Sequence, residues 1–279
     1  MTVEIVRVDQ SLRNAGLILP EWILKGHSNL ALPDEADIVV PTALQNYPLG
    51  AQLKMNGKLY RYSKAGAAML TGTGFLKVNS IIVAGKVGNS LNSGYEGAIY
   101  ADAAVGATEL KITDTAAVKN EYEGARLVIG NDTLNTFIEH RVVGNDVSTG
   151  VYTVIKIAPP GLQFAVTTTN STLGISLNPY YRVKSGLVIG CVWYSAIGMA
   201  RFPVADGYFF WLQTAGPCGG TGASTWPGQT GSQRDVMANT DGSLIGLAAA
   251  TTYYQRIGFL LSGSASDYGT TFINLQLDQ

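Results

Sequence analysis

Two histidines, His27 and His140, and two cysteines, Cys191 and Cys218, supply every imidazole and thiol in the chain. A structural zinc site draws such ligands from close sequence pairs, and these four are scattered, so no metal site assembles locally. The sequence holds no nucleophile elbow, no Walker loop, no His-Glu-x-x-His helix and no calcium-loop spacing. Gly219-Gly220-Thr221-Gly222 has the glycines of a phosphate cradle without its lysine, and Asn239-Thr240-Asp241-Gly242 has too few oxygens for a calcium loop. Both read as turns, where Gly and Asp relieve backbone strain. The two carboxylates of a glycosidase can come from any part of a chain, so spacing decides nothing about them. No catalytic residue, cofactor or metal ligand is assigned, and the expectation is a protein that is not an enzyme.

The elements around these residues must therefore serve binding or assembly. At 279 residues the chain can form one large all-β domain or two modest ones, and only 14% of it is charged, against about 25% in an average protein. Low charge with 46% hydrophobic residues is the reverse of a disordered tail. A net charge of -1 provides no field to gather nucleic acid or an anionic membrane, so neither is expected as a partner. No apolar run reaches the roughly 18 residues of a spanning helix. Met1 to Val8 lacks the basic and apolar regions of a signal peptide, so the expectation is synthesis and use without export. Two small buried thiols then suit Cys191 and Cys218 better than a disulfide, with that pairing left open. Asn131-Asp132-Thr133 and Asn170-Ser171-Thr172 match the glycosylation pattern and, without export, read as turns.

Residues 1–47 differ from the rest. Asp9 to Ala15 could open a helical turn that Gly16 and Pro20 would stop. Pro33, Pro41 and Pro48 then stand among Leu30, Leu32, Ile38, Val39, Val40 and Leu44. Each proline fixes φ and blocks helix, which predicts an extended N-terminal arm lying on another surface. Residues 48–103 begin with two strand-like runs flanking Asn56-Gly57, the strongest short-range hairpin signal. Lys54, Lys58, Arg61 and Lys64 stand there with Tyr60 and Tyr62, either as a small nucleic-acid surface or as a solvated hairpin face whose lysines guard an edge; overall neutrality favours the second. Ala65 to Leu70 is expected to hold a helical turn or two. Residues 104–184 carry short alternating runs, with turn signals between them, over 107–113, 125–129, 136–142, 151–157, 164–166 and 172–177, which predicts a sandwich or small barrel. The fold class is all-β: short-stranded sandwich or barrel modules with an extended N-terminal arm.

Residues 185–279 are poor in charge. No ion stands between Asp206 and Arg234, while Tyr208, Phe209, Phe210, Trp211 and Trp226 all do. Burying one such ring contributes about 1.5–3 kcal/mol, so exposed rings would drive association. Two readings stand side by side. Phe210 and Trp211 could alternate across a central strand with one face in the core, or the segment could be a subunit interface, where aromatics are enriched and charge is depleted. The interface candidates are Tyr208, Phe209, Phe210, Trp211 and Trp226, with Ile38, Val39 and Val40 from the arm, and residues 185–279 would complete the main domain.

Leu49-Gly50, then Gly57-Lys58-Leu59-Tyr60-Arg61-Tyr62 with Ala65-Gly66-Ala67, Leu177-Asn178-Pro179-Tyr180, and Gly207 through Cys218 with its aromatic-Gln-Thr-x-Gly-Pro core carry a resemblance. In these segments, scattered over residues 48–279, the chain resembles a family of tailed-phage virion structural proteins commonly encoded beside the major capsid protein. That resemblance implies particle membership and carries no catalytic residues. It leads to the expectation of a capsid decoration or cement protein, assembled in the host cytoplasm and found in the virion. Its partners would be the major capsid protein and further copies of itself, and a trimer would suit a capsid's threefold positions. The alternative is a tail- or fibre-associated adhesin holding host glycan on Trp193, Tyr194, Trp211 and Trp226, without the heptads or repeats of a fibre shaft.

Overall fold

A computed structural model describes residues 16–18, 33–68, 81–83, 94–185, 195–223, 234–239, 242–246, 255–263 and 270–278. His27, Cys191, Trp193, Tyr194, Trp226, the turn expected over 9–15 and most of the arm before Pro33 lie outside them. The described chain is nearly all β and its sheets are antiparallel, as the alternating patterns predict. It divides into two compact units, one within residues 94–178 and one formed by the described residues on either side.

In chain order the strands are β1 (Leu17–Ile18), β2 (Gln52–Met55), β3 (Lys58–Lys64) and β4 (Ile81–Val83). Then come β5 (Gly94–Gly97), β6 (Glu109–Ile112), β7 (Arg126–Asn131), β8 (Thr136–Asn145), β9 (Thr153–Ile157) and β10 (Ser171–Ser176). The rest are β11 (Lys184–Ser185), β12 (Ala196–Met199), β13 (Phe209–Thr221), β14 (Asp235–Ala238), β15 (Leu244–Gly246), β16 (Arg256–Ser262) and β17 (Thr270–Gln276). A five-residue helix, α1 (Glu35–Val39), precedes β2.

The middle unit is one six-stranded sheet in the order β5-β10-β7-β8-β9-β6. It curls until its ends meet: the chain leaving β5 reaches β6 through Tyr100 N to Lys111 O (2.9 Å) and Thr113 N to Ala98 O (3.0 Å). That closure occupies backbone groups which an open edge would offer to another chain. Alternate residues face inward, so Leu110, Ile112, Leu127, Ile129, Val142, Ile155, Ile157 and Ile175 form one core. Asn145 anchors the 117–123 loop, its Oδ1 accepting from Tyr122 N and its Nδ2 donating to Val118 O. The module expected from residue 104 begins earlier, at β5, and β11 pairs with β4 in the other unit.

In the flanking unit the Asn56-Gly57 turn sits where the sequence places it, with φ of 52° and 73° between β2 and β3. A type I′ turn requires positive φ at both positions, which Asn and Gly tolerate. The strand path runs β1-β2-β3-β13-β17-β16-β14-β15, with β12 also on β13. β13 is the spine: its first half pairs with β3 and its second half with β17. Gly219, Gly220 and Thr221 belong to this strand rather than to the expected turn. A Cβ on Gly220 would stand 2.5 Å from Leu244 Cδ1, so glycine serves close packing there. Ala65 forms a parallel bridge with Val183 and residues 65–68 are not helical, while Met69 and Leu70, the end of the expected helical turn, lie outside the described residues.

Candidate interaction surface

The aromatic segment at the start of β13 is where the sequence offered two readings, and burial separates them. Phe209, Phe210, Trp211 and Leu212 are all buried, so both faces of the strand are covered by this chain itself. Trp211 packs against Tyr47 and Tyr62 with ring centres 5.1 Å apart in each case, and Tyr62 stacks on Phe209. Phe210 faces the other way, into a cluster with Val183, Val204 and Leu212. Phe209, Phe210 and Trp211, named as interface candidates, are thus core residues, which favours the central-strand reading over the exposed interface. Tyr208, at 38% exposure, is the one described ring of the segment that reaches solvent.

Residues 33–47 correct the arm in the same way. They dock on their own chain: Thr42 and Phe209 exchange backbone hydrogen bonds of 2.9 and 2.8 Å, and Tyr47 joins the aromatic cluster. α1 forms despite the nearby prolines because Asp34 and Asp37 make a capping box, with Asp34 Oδ1 accepting from Asp37 N and Asp37 Oδ2 from Asp34 N. That motif needs no proline-free stretch longer than one turn, and the proline spacing masked it. Ile38 turns inward and is buried. Val39, Val40 and Leu44 turn outward, with exposures of 52, 56 and 77%.

Asp34, Glu35 and Asp37, in the same stretch of chain, are exposed as well. Glu35 also accepts a hydrogen bond from Asn56 Nδ2 of the hairpin turn. Burial, helped by the charges of Asp37 and Asp34, pushes the Tyr47 hydroxyl up to about 12, so it stays a neutral donor. On the other side of Phe209 lies a cation, Lys64, with its Nζ 5.3 Å from the Phe209 ring centre and 5.2 Å from that of Tyr181; Arg182 Cζ lies 5.5 Å from the same Tyr181 ring. The exposed apolar side chains Val39, Val40 and Leu44 thus belong to a stretch whose exposed charges are acidic.

Tyr60 and Tyr62 are buried, so neither ring is open to a base. Arg61 is held by Asp278 and donates to Gly50 O at 3.0 Å. Burial lowers the Lys58 ammonium below its ordinary value, with Arg201 adding to the shift.

The aromatic-Gln-Thr-x-Gly-Pro motif has a structural explanation. Gln213 is fully buried and its Nε2 approaches three carbonyls, those of Ala215 (3.2 Å), Gly216 (3.4 Å) and Pro217 (3.1 Å). These bonds hold a bulge in the β13–β3 pairing. Gly216 has φ of 90°, and a Cβ there would stand 2.5 Å from Gly57 O. No other residue type fits that close approach without backbone movement.

Cys218 is a buried free thiol in contact with Met199 sulfur at 3.5 Å, and burial pushes it up to about 12, so it is unreactive at neutral pH. His140 is buried on the core face of β8 with Nε2 unpartnered, and burial lowers its pKa. Glu123 is 8% exposed, and burial alone raises its carboxyl to about 7. No group of three His, Cys, Asp or Glu suited to a metal occurs among the described residues. Comparison with family models, with curated proteins and with solved structures returned no match.

Proposed function

We propose that this chain is a bacteriophage virion structural protein, a capsid decoration or cement subunit that binds the major capsid lattice as an oligomer. The resemblance of residues 48–279 to virion proteins supports the reading, and the observation that carries it is the outward-facing turn Val39, Val40 and Leu44. Val39 and Val40 are already about half covered, so burying what remains of these three side chains contributes about 1–2 kcal/mol each, enough to drive docking once repeated across a lattice. The acidic charges of Asp34, Glu35 and Asp37 in the same stretch select a partner surface that is apolar and carries basic groups. The buried aromatic segment no longer contributes to this argument, because Phe209, Phe210 and Trp211 already have partners within the chain.

The test is attachment to empty capsids together with the oligomeric state of the purified protein. Wild-type protein is expected to self-associate and to co-sediment with capsids. The double substitution Val39→Asp and Val40→Asp is expected to abolish capsid attachment while the thermal transition is retained. Protein that stays monomeric at high concentration and leaves capsids bare would overturn the reading. The adhesin alternative loses Trp211, whose ring is buried and cannot stack on a sugar.

A further inference from the structure

We propose that the outer face of the middle unit carries a saccharide-binding cleft, floored by Gly174 of β10 and walled by Phe137 of β8. The proposal is independent of the virion reading. A cleft of about 390 Å³ lies on this sheet face, within the size range of small-ligand sites. Its lining includes Val128, Gly130, Phe137, Thr172 and Gly174.

Two glycines in that lining have different causes. At Gly130 a Cβ would stand 2.7 Å from the Phe137 ring and 2.8 Å from Thr172 Oγ1, so glycine lets the ring lie down across the strand. The Phe137 side chain is nevertheless 73% exposed. It is an oriented platform, seated on backbone and open to solvent. At Gly174 nothing lies within 4 Å of the Cβ position, and φ is not positive there. Among the described residues neither packing nor backbone strain requires glycine at this mid-strand position, where it weakens the strand. Its effect is to leave the cleft floor bare, so that a flat molecule can reach the sheet.

The chemistry around the floor selects the ligand. Strand pairing sets Thr172, Gly130 and Phe137 in one row across the sheet and Gly174, Val128 and Glu139 in the next. Arg126 shares that face, with Nη1 2.6 Å from Glu139 Oε1 and both side chains 54% exposed. An aromatic wall thus stands beside a hydroxyl, a carboxylate and a guanidinium that keep further donors and acceptors available. A sugar ring presents a C–H face to an aromatic and a rim of hydroxyls that both donate and accept. An added peptide strand is disfavoured, because β7 and β10 each have strands on both sides and their backbone groups are taken. A purely apolar side chain would use Phe137 and Val128 and leave the ion pair without a role.

The experiment titrates full-length protein with methyl glycosides of glucose, galactose, mannose and N-acetylglucosamine and screens it on an array of short oligosaccharides. Wild type is expected to bind at least one. Phe137→Ala and Gly174→Val, the second placing a side chain on the floor where its Cβ meets nothing within 4 Å, are each expected to weaken binding about tenfold or more while keeping the wild-type thermal transition. If Gly174→Val loses that transition, amide shift mapping of wild type decides instead: sugar-induced shifts centred on residues 128–130 and 172–174 support the cleft, and shifts elsewhere overturn it. Absence of any saccharide binding, binding kept within about twofold by either folded variant, or a displayed apolar peptide occupying the face while no saccharide does would each overturn it.

Discussion

Replacing Glu123 by glutamine should make the middle unit less sensitive to alkali. The carboxyl is buried at the end of the loop that Asn145 anchors, and burial raises it from 4.5 to about 7. The folded state therefore holds a proton that the unfolded chain has released between these two values. The stability this contributes is fully present below about pH 4.5 and is lost as pH rises through about 7. A shift of this size corresponds to a ceiling of about 3.5 kcal/mol, since each pH unit of displacement is worth about 1.4 kcal/mol. Glutamine keeps the shape and cannot ionise, so at pH 8.5 the variant should exceed wild type by up to about 3.5 kcal/mol more than it does at pH 4.5. The assay is amide hydrogen exchange on full-length protein, read by mass spectrometry on peptides covering β7 and β8 and corrected for intrinsic rates. The change in the difference between variant and wild type with pH carries the result, because a buried amide has its own fixed cost. A difference that stays constant from pH 4.5 to 8.5 would refute the assignment of burial as the cause.

Three further outcomes follow from the same structure. Burial lowers the His140 pKa, so its stabilising effect is present above the ordinary value of 6.5 and is lost as pH falls below it; His140→Leu should flatten the acid side of the stability profile measured by urea denaturation between pH 7 and 5. Phe210→Ala should cost about 3–5 kcal/mol in urea denaturation followed by tryptophan fluorescence, as a core truncation does, whereas an interface role would leave the isolated chain's stability unchanged. Gly216→Ala should destabilise by more than about 1 kcal/mol in the same assay, because a Cβ there meets the hairpin backbone at a left-handed φ.

Local features were legible wherever one residue pair or one period decides the backbone. Asn56-Gly57 sets its own turn, and the alternation in β6, β8, β9 and β10 marks strands whichever neighbours they find. The helix α1 was hidden because Pro33 and Pro41 dominate the reading of that stretch, although Asp34 and Asp37 stand three apart, as reciprocal capping requires. The cleft on the middle unit had a weak signal in Gly130, Phe137, Thr172 and Gly174, but these residues meet only once three strands pair. Single glycines in strands are common, and nothing local separates one that admits a ring from one that leaves a floor open.

The amino-acid sequence alone determined that this is an all-β chain, poor in charge, histidine and cysteine, with an apolar segment that must leave water. Composition and period suffice for that, because transfer from water depends on the side chain and not on what receives it. Which surface receives it is a tertiary matter. Phe209, Phe210 and Trp211 found partners in Tyr47, Tyr62 and Val183, far away in the chain, while Val39, Val40 and Leu44 were left outside. The free energy of burial is nearly the same in a chain's own core and against a neighbour, so only the three-dimensional pairing distinguishes the two.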